Sequence, residues 1–216
     1  MAKTPYLRQT QEEVINAILH AFGAGIFLIG TLLLIHVGSY TGTLNMFSGA
    51  VFGTTLFLTF LTSVLYHGTI HPGLKRRFRL LDHASIYLAI SGGYTGMFLI
   101  AAPKVLGIIM TVLIWIIAII GIRYKCHNIG KNERFSAITY IMMGWFGIII
   151  SPWWAANLSS DAIQLFIAGG VAYTFGVYFY YNDYKKYHHT IWHIMVLCGS
   201  ILHYIFMLEY LMPMGR

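Results

Sequence analysis

Seven stretches of predominantly apolar residues run along the chain, at about 15–37, 45–67, 82–101, 105–124, 136–154, 162–181 and 189–211. Each is near the roughly 20 residues an α-helix needs to cross a hydrocarbon core ~30 Å thick. Lipid offers the backbone no hydrogen-bond partners, so a spanning segment is either a helix or a strand of a closed barrel. The runs are continuously apolar rather than alternating, which selects helices. The gaps are too short for a second folded unit, and no internal repeat is visible. Residues 1–216 are therefore expected to form a single seven-helix transmembrane domain, all-α, with a short N-terminal segment at 1–14. Composition agrees: 57% of the residues are hydrophobic and 10% charged, whereas a soluble domain carries roughly 25% charged residues. Low charge with high hydrophobicity excludes a disordered chain as well.

Thr10 and Glu13 stand at capping-box spacing ahead of the first run, and Glu12 and Glu13 suit the positive end of the helix dipole. No basic stretch, short apolar core and cleavage site precede that run, so a permanent span is expected rather than a signal peptide. The basic residues are one-sided. Twelve of the 14 lie at the N-terminus and in the second, fourth and sixth gaps, against Lys104 and Arg216 on the other side. The positive-inside rule then predicts a cytoplasmic N-terminus and an external C-terminus, the reverse of G-protein-coupled receptors. The net charge of +7 follows from these gaps, where topology and anionic headgroups account for it, and no nucleic-acid partner is expected. Cys126 and Cys198 are too few and too far apart for a disulfide framework or a zinc ribbon, and read as apolar filler.

Ten histidines against seven carboxylates are the unusual feature, because ionisable groups at membrane depth are costly and mark functional candidates. On the expected topology most gather in one layer. His67 ends span two, four residues after Ser63. Asp82 and His83 open span three, and His188, His189 and His193 open span seven. Glu12, Asn16 and His20 follow one another at i, i+4 steps on one face of span one. His189 and His193 form an HxxxH pair, one turn apart on one helical face. Two such nitrogens can grip one metal ion, and His67 is the natural third. Three protein ligands with one open position is the pattern of catalytic zinc, though imidazole also binds copper, iron and nickel.

The spacing alone leaves headgroup contact, haem ligation or a proton relay open for the 189/193 pair, and headgroup contact better explains His71, His127 and His188. His36 and His203 lie too far along their spans to join, and His203 is expected as a hydrogen-bonded interior residue. Asp82 either caps span three or positions water at a metal. Ser63 either bonds the carbonyl one turn back or faces the site of His67. Trp153, Trp154 and Tyr180 read as interfacial anchors.

Taken together these residues carry a family resemblance. Glu12-Glu13-x-x-Asn16-x-x-x-His20, Ser63-x-Leu65-Tyr66-His67, Leu81-Asp82-His83, Gly93-Tyr94-Thr95, His188-His189-x-Ile191-Trp192-His193, Gly199-Ser200 and His203 run through most of the chain. It resembles the bacterial hemolysin III family, within the group of progestin and adipoQ receptors (adiponectin receptor-like) and, more remotely, alkaline ceramidases. The resemblance implies a zinc ion held by His67, His189 and His193 near the cytoplasmic side. It also implies that Asp82 attends water at that zinc, with Ser63 beside it. Relatives commonly carry proline after the Tyr-Thr pair, where this chain has Gly96. The same resemblance implies the N-inside topology and a bacterial cytoplasmic (cell) membrane.

The activity so implied is zinc-dependent hydrolysis of a lipid amide or ester bond, with Asp82 and Ser63 catalytic. The acyl chain would lie in an intramembrane cavity, and membrane lipids are the expected partners. One alternative is a non-enzymatic sensor or receptor whose zinc ties spans two, three and seven together. The other is a pore-forming cytolysin, which the lack of a polar stripe running through the membrane disfavours. Long N-terminal segments like those of animal receptors are not seen, so an adipokine-type ligand is not expected.

Overall fold

The computed structural model describes residues 10–214. Seven helical segments are long and apolar enough to cross a membrane. The first four are α1 (Thr10–Thr41), α2 (Thr43–Gly68), α3 (Pro72–Ala101) and α4 (Lys104–Asn128). The fifth is composite: α5 (Glu133–Gly144), a 3₁₀ segment (Phe146–Ile150) and α6 (Ser151–Asn157). The sixth is α7 (Ser160–Tyr181), and the seventh is α8 (His188–Phe206), prolonged by a π-helical turn (Met207–Leu211). No strand occurs among the described residues.

Apolar side chains point both ways, as they must in lipid. Phe27, Leu34, Phe60, Phe98 and Ile114 fill the interior, while Ile18, Phe22, Ile29 and Leu32 of α1 face outward. Consecutive helices pack side by side, and α8 closes the arrangement by meeting α1 as well as α7. The most enclosed segment is α3, with 67% of its apolar stretch buried against 22% for α4. It touches α2, α4, α5, α6 and the π turn, and its His83, Ser85, Ser91 and Thr95 are buried in the interior of the protein.

Two segments depart from the apolar runs in informative ways. Helix α3 begins ten residues before Asp82. His71 accepts from Leu74 N (3.4 Å) as its N-cap, and Pro72 opens the first turn, where a missing N–H costs nothing. Asp82 is therefore inside the helix and is not a cap. Charged turns such as Arg76–Arg79 are helical without being apolar, so hydrophobicity understates the helix. The same applies to α1, which is already helical at Thr10.

The fifth run is not one helix. After Gly144 the backbone tightens, and the Tyr94 hydroxyl of α3 serves the break, donating to the Gly144 carbonyl and accepting from Gly147 N (3.0 Å). Broken backbone survives at membrane depth where protein groups re-satisfy it. Tyr94 does so here.

The pair α1–α2 turns on Gly42, whose φ of 143° lies where glycine is favoured. The two helices then approach closely: a Cβ on Gly53 would come within 2.8 Å of the Thr31 Cα. Gly53→Ala is expected to lower stability by about 1–3 kcal/mol through forced displacement. Gly25 has open space around it, so Gly25→Ala should be neutral or stabilising. Thermal melts of both variants in micelles check this; equal melting temperatures would refute the close-packing account.

Candidate metal centre

Helices α2 and α8 start the site. The last turn of α2 carries His67, and the first turns of α8 carry His189 and His193, entered through Tyr187 in the left-handed region (φ 62°). All three imidazoles are buried, at 3%, 5% and 4% exposure. Each offers one ligand nitrogen, and these nitrogens lie within 4.8 Å of one another. His67 Nε2 and His193 Nε2 are 3.0 Å apart. Two ligands on a tetrahedral ion at ~2.0–2.1 Å would stand roughly 3.3 Å apart. The donor set and spacing fit a metal ion.

The other nitrogen of His67 is taken. Its Nδ1 lies 3.1 Å from Glu13 Oε2, which also accepts from Lys75 Nζ at 2.8 Å. A carboxylate on one ring nitrogen fixes the tautomer and turns the other toward a metal. Lys75 in turn donates to the Tyr66 and Thr69 carbonyls (both 3.2 Å) and so closes the end of α2. Glu13 was legible only as a helix-start residue. Its contact with His67, 54 positions away, leaves no local signal.

Helix α1 forms a third wall. Asn16 Oδ1 accepts from Thr190 Oγ1 (2.7 Å). The His20 ring meets His193 edge-on at 4.3 Å and lies 6.1 Å from His67.

A cavity of about 140 Å³ opens beside these groups, about the size of one known to hold benzene. His20, Ser63, Asp82 and His193 line it, with Thr59, Thr174, Ser200 and His203 also polar and Leu56, Ile86, Ile90 and Val196 among its apolar residues. Ser63 is buried with no hydrogen-bond partner for its hydroxyl, unlike Thr55, Thr59 and Thr62, which bond carbonyls one turn back. Ser63 lines the cavity, as does the half-buried Asp82.

A second polar centre was not foreseen. Lys125, which reads as a gap residue, is 0% exposed within α4. It donates to Glu133 Oε2 and to Ser136 Oγ (3.2 Å). Arg79 (3.2 Å), Tyr180 (3.0 Å) and the Gly130 amide (3.1 Å) also converge on Glu133, with His83 Nδ1 at 3.5 Å. Tyr180 is thus a bonded partner rather than an anchor. Trp154 is buried too, against Gly147 and Phe166, and Trp153 alone of those three aromatics keeps an exposed face without such a partner role. Of the remaining histidines, His36, His71 and His127 are exposed and His188 is half-buried against the Phe179 ring, while His203, whose Nε2 bonds the Phe166 carbonyl at 3.0 Å, lines the cavity away from the triad. Cys126 and Cys198 are free and exposed.

A seven-span helical membrane protein with a buried histidine triad able to hold a metal ion is the class that fold and site define. The family model "Haemolysin-III related" matches residues 8–204, and the chain belongs to that family. It is 36% identical to "Hemolysin-3" of Bacillus cereus over 210 residues, covering 95% of this chain and 96% of that protein. It is 32% identical to "Hemolysin-3 homolog" of Bacillus subtilis (strain 168), covering 93% and 94%. A more distant relative, "Monocyte to macrophage differentiation factor" of Homo sapiens, is 24% identical over 93% of this chain and 84% of that one.

Two measurements probe the centres. Glu13→Gln is expected to weaken Zn²⁺ binding roughly 10- to 100-fold in isothermal titration while the fold persists; unchanged affinity would remove the orienting role. Glu133→Gln leaves Lys125 buried without its counter-charge, a loss of about 3–5 kcal/mol. Adding Lys125→Met should recover most of it in the same melts, and no recovery would refute the pairing.

Proposed function

We propose that the protein is a zinc-dependent membrane hydrolase acting on an amide or ester bond of a lipid. The observation that carries this reading is the cavity. Ser63 and Asp82 line it together with the triad residue His193, and most of the remaining wall is apolar, interrupted by Thr59, Thr174, Ser200 and His203. The carbons of an acyl chain next to the scissile bond suit the apolar wall, with the polar bond at the triad.

His67, His189 and His193 would hold the ion. When bound, zinc polarises the scissile carbonyl and lowers the pKa of a water toward ~7. Asp82 accepts the proton of the attacking water and returns it to the leaving amine or alkoxide. The Ser63 hydroxyl donates to the oxygen that gains charge. Glu13 keeps the imidazole of His67 turned inward. The burial of Ser63 and of the triad keeps bulk solvent from competing for these hydrogen bonds.

The one-sided distribution of Lys and Arg supports an N-terminus in the cytoplasm, which sets the triad at the inner face of the bacterial cell membrane. The basic turn of α3 faces anionic headgroups there.

Asp82→Asn is expected to retain zinc and to abolish turnover. Metal analysis of the purified protein, beside lipid profiles of cells carrying the wild type, Asp82→Asn or His189→Ala, checks it. A lipid product that changes in both variants, with zinc lost only in the second, supports catalysis. Unchanged lipids with zinc lost in His189→Ala would favour a sensor whose ion only braces the helices.

A further inference from the structure

Glu12, Asn16 and His20 occupy successive turns of one face of α1, about 6 Å apart along the axis. They are 1%, 0% and 2% exposed. Both carboxylate oxygens of Glu12, the amide nitrogen of Asn16 and both ring nitrogens of His20 are buried without a hydrogen-bond partner among the described residues. An orphaned buried polar group costs about 1–3 kcal/mol, and native proteins leave only a few per 100 residues. Here five such atoms share one helix face within three turns. Elsewhere in the bundle buried amides are served: Asn45 Nδ2 donates to the Met212 carbonyl at 2.9 Å. The column also leads somewhere, because His20 lines the cavity against His193.

We infer that the Glu12–Asn16–His20 column is a hydrated path that delivers water to the histidine triad from the end of the bundle where α1 begins. Water satisfies scattered donors and acceptors that cannot reach one another, provided each molecule finds two to four polar partners. Glu12 supplies acceptors, Asn16 a donor, and His20 a pair of ring nitrogens beside the triad. The path is also blind. Beyond His20 the buried face of α1 turns apolar at Ala24, Phe27 and Leu34. The Phe27 and Phe60 rings pack at a tilt 5.0 Å apart, with Phe60 5.1 Å from His20 itself. Thr31, the next polar residue, turns its hydroxyl to the carbonyl of Phe27 (2.5 Å). Solvent reaches the triad and stops there.

The purpose of the path rests on the hydrolase reading, since hydrolysis consumes one water per bond cleaved, but its existence does not. Radiolytic hydroxyl-radical labelling in H₂¹⁸O, read by mass spectrometry on the intact protein in lipid nanodiscs, detects ordered water without requiring turnover. His20 is expected to take up label at a yield comparable with the exposed His71 and His127, while Phe27 and Phe60 stay unlabelled. Asn16→Leu should cut the His20 yield several-fold and leave His71 unchanged. His20 as unreactive as Phe27 in the wild type, or equally labelled in Asn16→Leu, overturns the path. If Asn16→Leu does not fold, Glu12→Leu and the wild-type ratio of His20 to Phe27 carry the decision. Labelled His20 in a protein without lipid turnover removes the hydrolase reading and keeps the path; unlabelled His20 in an active protein does the reverse.

Discussion

Inside a bilayer, polar atoms buried in a bundle must be satisfied by the bundle itself or by water that it encloses. That constraint organises this structure more than any apolar contact does, because lipid tails attract the helices as well as the helices attract each other. At three places where charge or broken backbone goes inward, a partner from another helix meets it. Glu13 of α1 meets His67 of α2 and Lys75 of α3. Glu133 of α5 gathers Arg79 of α3, Lys125 of α4 and Tyr180 of α7. Tyr94 of α3 mends the gap after α5. These polar ties lock the helices into one arrangement at the end where the triad sits.

The two centres differ in how far their groups are already engaged. The Glu133 cluster is closed, its groups already engaged with one another, which suits a brace. The triad has a cavity, an unengaged serine hydroxyl and a half-buried carboxylate beside it, which suits chemistry. Helix α3 joins them, since Asp82 and His83 are neighbours in sequence that face different centres. His83 leans on Glu133 while Asp82 lines the cavity.

The seven spans and the membership of His67, His189 and His193 in one cluster were legible in the sequence, for physical reasons. A run of twenty apolar residues has few alternatives to a membrane helix, and HxxxH fixes two imidazoles on one face whatever the tertiary fold. Helix ends were less legible, because Arg76–Arg79 and Glu12–Glu13 are helical at depths where charge is tolerated. The interior break at Gly144 was hidden because its hydrogen bonds come from Tyr94, 50 residues earlier. Lys125 is the sharpest case. A lysine at the end of an apolar run resembles a topology signal, and only the return of the chain through Glu133 shows that it is buried.

The Gly42 link makes α1 and α2 a tight hairpin, and that hairpin alone carries Glu13, His20 and His67. The other two imidazoles arrive on the last helix, more than a hundred residues later. A ribosome therefore releases one imidazole of the triad early and the other two only with α8. Until α8 inserts and seats against α1, the nascent protein owns a single oriented imidazole and has no competent trap for a cation. Any cation this triad can hold would thus have to wait for the last span to dock, with the ring of helices shut.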